Sequence, residues 1–134
     1  MAGYSSRSLV DKLGIKPGTR IAILNPPRGF RVTLGKLPAG VTVSTRVSGT
    51  YPFIHFFTRS RSLLQTKLAM LVGALDPDGK LWVSWPKKAS GWATDMTEDA
   101  VRELALPLGL VDIKVAAVDE VWSGLMLVRR LRNR

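Results

Sequence analysis

Eight consecutive residues, Tyr51-Pro52-Phe53-Ile54-His55-Phe56-Phe57-Thr58, constrain the fold of this chain more than any other segment. Apolar side chains fall on both alternating faces of a strand here, and a strand covered on both faces belongs inside a parallel sheet sandwiched by helices. The neighbouring segments fit that arrangement. Arg20 to Leu24 reads as a first strand, stopped by Asn25-Pro26-Pro27 because proline offers no N–H to a ladder. Val41 to Thr45 reads as a short second strand, which makes Tyr51 to Thr58 the third.

Helical spacing appears between the strands. Ser8 to Leu13 predicts a short helix ended by Gly14. Leu63, Leu64, Lys67, Leu68, Leu71, Val72 and Leu75 recur at the three-and-four spacing of one helical face, and Asp76-Pro77-Asp78-Gly79 should end that helix. A fourth strand follows over Lys80 to Trp85. The next helix starts near Thr97, with Glu98 and Asp99 suiting the positive end of its dipole and Asp95 with Glu98 as an alternative capping pair. Its buried stripe is read as Ala100, Val101, Leu104, Ala105 and Leu108, with Pro107 and Gly109 marking the end. Val111 to Val118 and Gly124 to Arg130 form a closing hairpin that turns at Asp119 to Ser123; so short a connection forces the two strands antiparallel.

The expected fold is therefore a three-layer, Rossmann-like α/β sheet, mainly parallel, of about six strands with an antiparallel C-terminal hairpin. It resembles the methyltransferase variant of that fold cut to minimal size. The phrase Leu75-Asp76-Pro77-Asp78-Gly79-Lys80-Leu81-Trp82-Val83 resembles the segment those enzymes place before their fifth strand. The 134 residues, 46% hydrophobic and 22% charged, suit one domain spanning 1–134. There is no cysteine, which removes disulfides and thiolate chemistry. No stretch approaches the roughly 18 apolar residues of a membrane span, and the N-terminus has no signal-peptide core, so a soluble cytoplasmic protein without a membrane partner is expected.

Charge is distributed unevenly. The net charge is +10, and from Lys12 to Leu75 the chain carries Lys12, Lys16, Arg20, Arg28, Arg31, Lys36, Arg46, Arg59, Arg61 and Lys67 without one acid. Such a field attracts polyanions, which makes a nucleic acid bound on the Lys12 to Lys67 surface one candidate partner. The basic tail from Arg129 to Arg134 reads as a frayed end.

From Trp85 to Arg102 the residues match W-P-K-K-x-S-G-x-x-T-D-x-T-E-D-x-V-R, and the chain thereby resembles an uncharacterised bacterial family of unknown function. Leu108-Gly109-Leu110-Val111-Asp112, Lys114-Val115, Asp119-Glu120 and Trp122-Ser123-Gly124-Leu125 resemble its later signatures. Gly3-Tyr4-Ser5 and Leu13-Gly14-Ile15-Lys16-Pro17-Gly18 resemble its opening. The resemblance implies a bacterial origin and no particular chemistry or cofactor.

A wound sheet brings the loops after its parallel strands to one rim. Arg28, Arg59, Arg61, Lys87 and Lys88 would converge there, with Ser90 and Thr94 as neutral donors, Trp92 as a stacking surface, and Ser60 beside them. The leading expectation is a non-catalytic or regulatory module that holds an anionic small molecule, such as a nucleotide, at this rim. The alternatives are a nucleic-acid-binding protein, and a minimal lysine-dependent enzyme or divergent methyltransferase. Methyltransferases of this fold use a glycine-rich turn after the first strand and an acid after the second. This chain has Asn25-Pro26-Pro27-Arg28-Gly29-Phe30 and Ser44-Thr45-Arg46 instead, which argues against S-adenosylmethionine in the usual pose. The lone His55 reads as a core residue, and Trp82 is expected to face away from Trp85.

Overall fold

The computed structural model describes residues 7–131. The Gly3-Tyr4-Ser5 motif and the end of the basic tail lie outside them. In chain order the elements are α1 (Leu9–Leu13), β1 (Arg20–Leu24), α2 (Phe30–Leu34), β2 (Thr42–Ser44), β3 (Tyr51–Phe57), α3 (Arg61–Gly73), β4 (Leu75–Pro86), α4 (Glu98–Ala105), β5 (Leu110–Ala117) and β6 (Trp122–Arg129). The strands form one sheet in the order β2-β1-β3-β4-β6-β5. The first four in that order run parallel, while β6 is antiparallel to both β4 and β5. This is the Rossmann-like, methyltransferase-type α/β sheet that the sequence predicts.

Side-chain alternation divides the core into two layers. Ala22 and Leu24 of β1 point to one face, where Leu64, Leu68 and Leu71 of α3 and Val101 and Ala105 of α4 cover the sheet. Ile21 and Ile23 point to the other, against Val10 and Leu13 of α1 and Phe30 and Leu34 of α2. β4 obeys the same period: Leu81, Val83 and Trp85 join the first layer and Trp82 joins the second, so the two tryptophans face opposite ways as expected. Each such leucine or isoleucine taken fully from water contributes about 1.5–3 kcal/mol. Among the described residues no helix is long and apolar enough to cross a membrane.

Three local features differ from the sequence reading. α2 was not anticipated; it is only five residues long, yet Phe30 and Leu34, four apart, are both buried. Two parallel neighbours such as β1 and β2 cannot be joined by a tight turn, and α2 occupies that crossover. Asp76 to Gly79 does not merely end α3 but lies within β4, where the pairing steps from Tyr51–Leu75 to Phe53–Lys80 and leaves the intervening turn bulged. At Gly79 a Cβ would stand 2.7 Å from Leu75 Cδ1, so a larger residue would force that leucine aside. Finally, Leu108 is 40% exposed and not part of the α4 stripe, because the helix tightens into a 3-10 turn at Leu106–Leu108.

Ser60 caps α3 by accepting the Leu63 N–H at 3.1 Å, and Thr97 caps α4 by accepting the Ala100 N–H at 3.0 Å. The far end of α3 is closed from β6: Arg129 Nη2 donates to the carbonyls of Val72 at 2.6 Å and Leu75 at 2.8 Å. These are charge-assisted bonds at a helix C-terminus, where a cation is favoured. Arg129→Met should therefore cost about 2 kcal/mol of stability, read as a lower urea midpoint at unchanged slope. An unchanged midpoint would refute the capping role.

Candidate functional site

Because β1, β2, β3 and β4 are parallel, the loops that follow them emerge at one edge of the sheet. The turn before β6 joins them, since Trp122 pairs with Pro86 at the end of β4. The sequence-predicted residues do share this edge, but much of their bonding capacity is used between loops. Lys87 Nζ donates to the Asp119 carbonyl at 2.7 Å, and its backbone N–H donates to Val121 O, which fastens the lysine loop to the hairpin turn. Ser90 Oγ donates to Lys87 O at 2.6 Å and accepts the Trp92 N–H, closing a 3-10 turn (Lys88–Ser90) that exits through Gly91 at φ 79°. Lys88 lies exposed on that turn.

A second set of bonds joins this loop to the one after β3. Arg59 Nε donates to Ala93 O at 3.1 Å, and Thr94 Oγ1 donates to Arg59 O at 2.7 Å. Asp95 Oδ1 accepts the Arg61 N–H at 2.7 Å, so Asp95 serves α3 and not α4, whose cap is Thr97. The Arg61 guanidinium turns away toward α4 and pairs with Glu103 at 2.8 Å. Arg28, Arg59 and Trp92 do come together. The Arg59 guanidinium stands 5.6 Å over the Trp92 ring, which meets Trp122 edge-on at 5.8 Å. Arg28, Phe30, Trp92, Trp122 and Asp119 border a cleft of about 330 Å³.

A second cleft, of about 210 Å³, lies at the ends of β1, β2 and β3 beside α3. Leu24, Asn25, Thr45, Arg46, Val47, Phe56, Lys67 and Met70 line it. Of these, the sequence places Asn25 at the stop of the first strand and Thr45 at the end of the second, and Arg46 and Lys67 only on the basic surface offered to a nucleic acid, so it points to none of them as donor-site residues. One local signal was available: Asn25 takes φ 54°, in the left-handed region, the only non-glycine described to do so. Asparagine after a buried strand tolerates that conformation better than most residues.

His55 lines neither cleft, although its ring packs edge-on against Phe30 of the first. It is fully buried, its Nε2 bonds Ser84 Oγ at 2.7 Å, and its ring stacks on Phe57 at 4.1 Å. Burial lowers its pKa to about 3, so it stays neutral at physiological pH. It is a core residue, as the sequence indicated. Among the described residues no cluster of three or more metal-ligating side chains occurs. Nor is the acid-free stretch from Lys12 to Lys67 one surface: Lys16 and Arg20 precede or begin β1 at the amino-terminal edge, whereas Arg28, Arg46 and Arg59 follow strands at the opposite edge. Arg20 is also occupied, lying 4.1 Å over Tyr51 and donating to Thr50 O.

No family model matches the sequence, and no curated protein does so either. The fold, in contrast, is that of S-adenosylmethionine-dependent methyltransferases. A ribosomal protein L11 methylase from Lactobacillus delbrueckii subsp. bulgaricus superposes with a TM-score of 0.62 at 12% identity, over 91% of this chain and 75% of that one. The N-methyltransferase NodS from Bradyrhizobium japonicum gives 0.60 at 11% identity, over 90% and 92%. Magnesium protoporphyrin IX methyltransferase from Synechocystis, solved with S-adenosylmethionine bound, gives 0.58 at 11%, over 91% and 74%.

These likenesses overturn the leading functional expectation. Several solved structures that share the fold are named as methyltransferases, and one of them is solved with the donor and with its product bound, which fits the divergent-methyltransferase alternative better than a non-catalytic anion-binding module. A physical reason agrees with the correction: Lys87, Ser90, Thr94 and Arg61 spend hydrogen-bonding groups on neighbouring loops and on Glu103.

Proposed function

We propose that this chain binds an adenosyl methyl donor in the cleft at the ends of β1, β2 and β3 and works in methyl transfer. One observation carries the reading. The cleft spans the ends of β1 and β3, with Leu24 and Asn25 on one side and Phe56 on the other. In the order β2-β1-β3-β4 that is where the direction of winding reverses, the position at which open α/β sheets take ligands.

The lining fits such a donor in kind. Leu24, Val47, Phe56 and Met70 supply apolar surface for a purine, Asn25 and Thr45 supply neutral groups for ribose hydroxyls, and Arg46 and Lys67 suit a carboxylate. The usual acid after β2 is absent, and Pro26 and Pro27 withhold two N–H donors, so ribose is held by an amide and a hydroxyl in place of a carboxylate. When bound, the donor supplies a methyl carbon activated by its sulfonium, whose C–S electron pair stays on sulfur as the acceptor takes the methyl and sheds a proton to water.

S-adenosylhomocysteine and S-adenosylmethionine test the reading by thermal shift. A ligand at a hundred times its Kd adds about 2.7 kcal/mol, equivalent to a rise of about 10 °C in midpoint for a chain of this size. Thr45→Trp, at an exposed position on the cleft wall, should abolish the rise while leaving the ligand-free midpoint in place. No rise with either compound at millimolar concentration overturns the proposal.

A further inference from the structure

We infer that the aromatic cleft bordered by Trp92, Trp122, Phe30 and Arg28 receives an unstacked base of a single-stranded polynucleotide, the methyl acceptor; the word acceptor rests on the reading above, the binding does not. One loop contributes to both clefts. Asn25 lines the first, Pro27 and Arg28 line the second, and all three belong to the loop after β1, so a base lying in the second has the donor cleft across one short segment of backbone.

Its aromatic surface is built for stacking. Trp92 is 44% exposed, yet its ring is held from two directions, by Trp122 edge-on and by the Arg59 guanidinium. An indole fixed in this way loses little freedom when a flat ring lies on it, and every base offers such a face. The cations suit the strand on which that base is carried: Arg28 lines the cleft, Arg59 stands over its Trp92, and both are exposed, as is Lys88 on the turn that leads to Trp92. The acids at the same edge are Asp95, Glu98, Asp99, Asp119 and Glu120, of which Glu98 and Asp99 pair with Arg102. Asp95 Oδ1 accepts the Arg61 N–H, and Asp119 Oδ1 accepts the N–H groups of Val121 and Trp122. Several cations spread around one aromatic slot complement a phosphate chain better than a single phosphate, and the net charge of +10 adds a long-range pull. A duplex keeps its bases stacked on each other, so the slot selects single strands.

Fluorescence anisotropy with a labelled twelve-nucleotide RNA of mixed sequence provides the test. Contact with about four phosphates predicts a loss of affinity of about 50-fold between 50 and 200 mM salt. Trp92→Ala removes no charge and should weaken binding by about tenfold or more. Arg28→Ala should weaken it severalfold, whereas Lys16→Ala, the same charge removed at the opposite edge, should change it less than about twofold. Circular dichroism melts of each variant establish that it is folded.

The inference is overturned if a folded Trp92→Ala protein binds like the parent, because attraction is then by bulk charge alone. It is equally overturned if a mononucleotide competes as well as the RNA, or if nothing binds at 50 mM salt. The S-adenosylhomocysteine shift is read separately. A shift without RNA binding removes this inference and leaves the donor site, and RNA binding without a shift does the reverse.

Discussion

Truncating Trp82 to alanine is expected to lower the unfolding free energy by about 4–5 kcal/mol, the upper end of the range for buried aromatic residues. The ring is fully buried in the layer beneath α1 and α2. Its partner across the ladder is Met126, and the indole lies over the diagonal Gly124, where a Cβ would already stand 3.0 Å from Trp82 Cε3, so that side offers no side chain to fill the space. The indole is also a tie between layers: Nε1 donates to the Leu13 carbonyl at 2.8 Å, so its loss leaves a buried acceptor at the end of α1 unpaired. Such a loss corresponds to a fall of about 15 °C in the midpoint. Trp82→Phe, which keeps most of the volume but not the N–H, should recover more than half of it. A loss under about 2 kcal/mol for the alanine variant would contradict this packing.

Acid should destabilise the fold well before its carboxylates titrate, and His55 is the reason. Its pKa is lowered to about 3 in the folded chain, from the ordinary 6.5, because burial penalises the charged ring. A base with a depressed folded pKa gives its full stability above the unfolded value and loses it as pH falls toward the folded one. Below pH 6.5 the unfolded chain takes up a proton that the folded chain refuses, at about 1.4 kcal/mol per pH unit. Moving from pH 7 to pH 5 should therefore cost about 2 kcal/mol. The paired variant His55→Phe with Ser84→Ala removes both partners of the buried hydrogen bond, a change far milder than removing one. Urea midpoints at pH 7 and pH 5 should fall in the parent and stay level in the paired variant. Equal falls in both would assign the acid sensitivity elsewhere.

The buried ring also explains why sequence could read His55 correctly. Phe53, Phe56 and Phe57 surround it in a strand apolar on both faces, and no exposed position is available to a side chain there. The same continuity of apolar residues located β1, β3 and β4 to within one or two residues, except at Asp76 to Gly79. There the turn residues were recognised but their inclusion in β4 was not, since the bulge depends on Tyr51 pairing with Leu75 across the sheet. α2 escaped because Phe30 and Leu34 make too short a pattern to count as periodic, and only the crossover from β1 to β2 requires a helix between them.

For the site, parallel strands alone dictate that Arg28, Arg59, Lys87 and Trp92 meet at one edge, and that much followed from strand order in the chain. Which of their polar groups remain available did not. Lys87 is taken by Asp119 and Arg61 by Glu103, partners 32 and 42 residues away, and no spacing rule reaches so far. The first cleft was still less accessible to sequence, since its walls come from β1, the loop after β2, β3 and α3.

What the amino-acid order determined by itself is the layering: apolar periods of two and of three to four decide which residues can be covered, and turn residues decide where the chain reverses. Only the tertiary structure decided which side chains are spent on the scaffold and where open volume is left between elements. That division has a physical cause, because burial periodicity is a property of each segment alone, whereas a cavity and a satisfied hydrogen bond exist only once distant segments have been brought together.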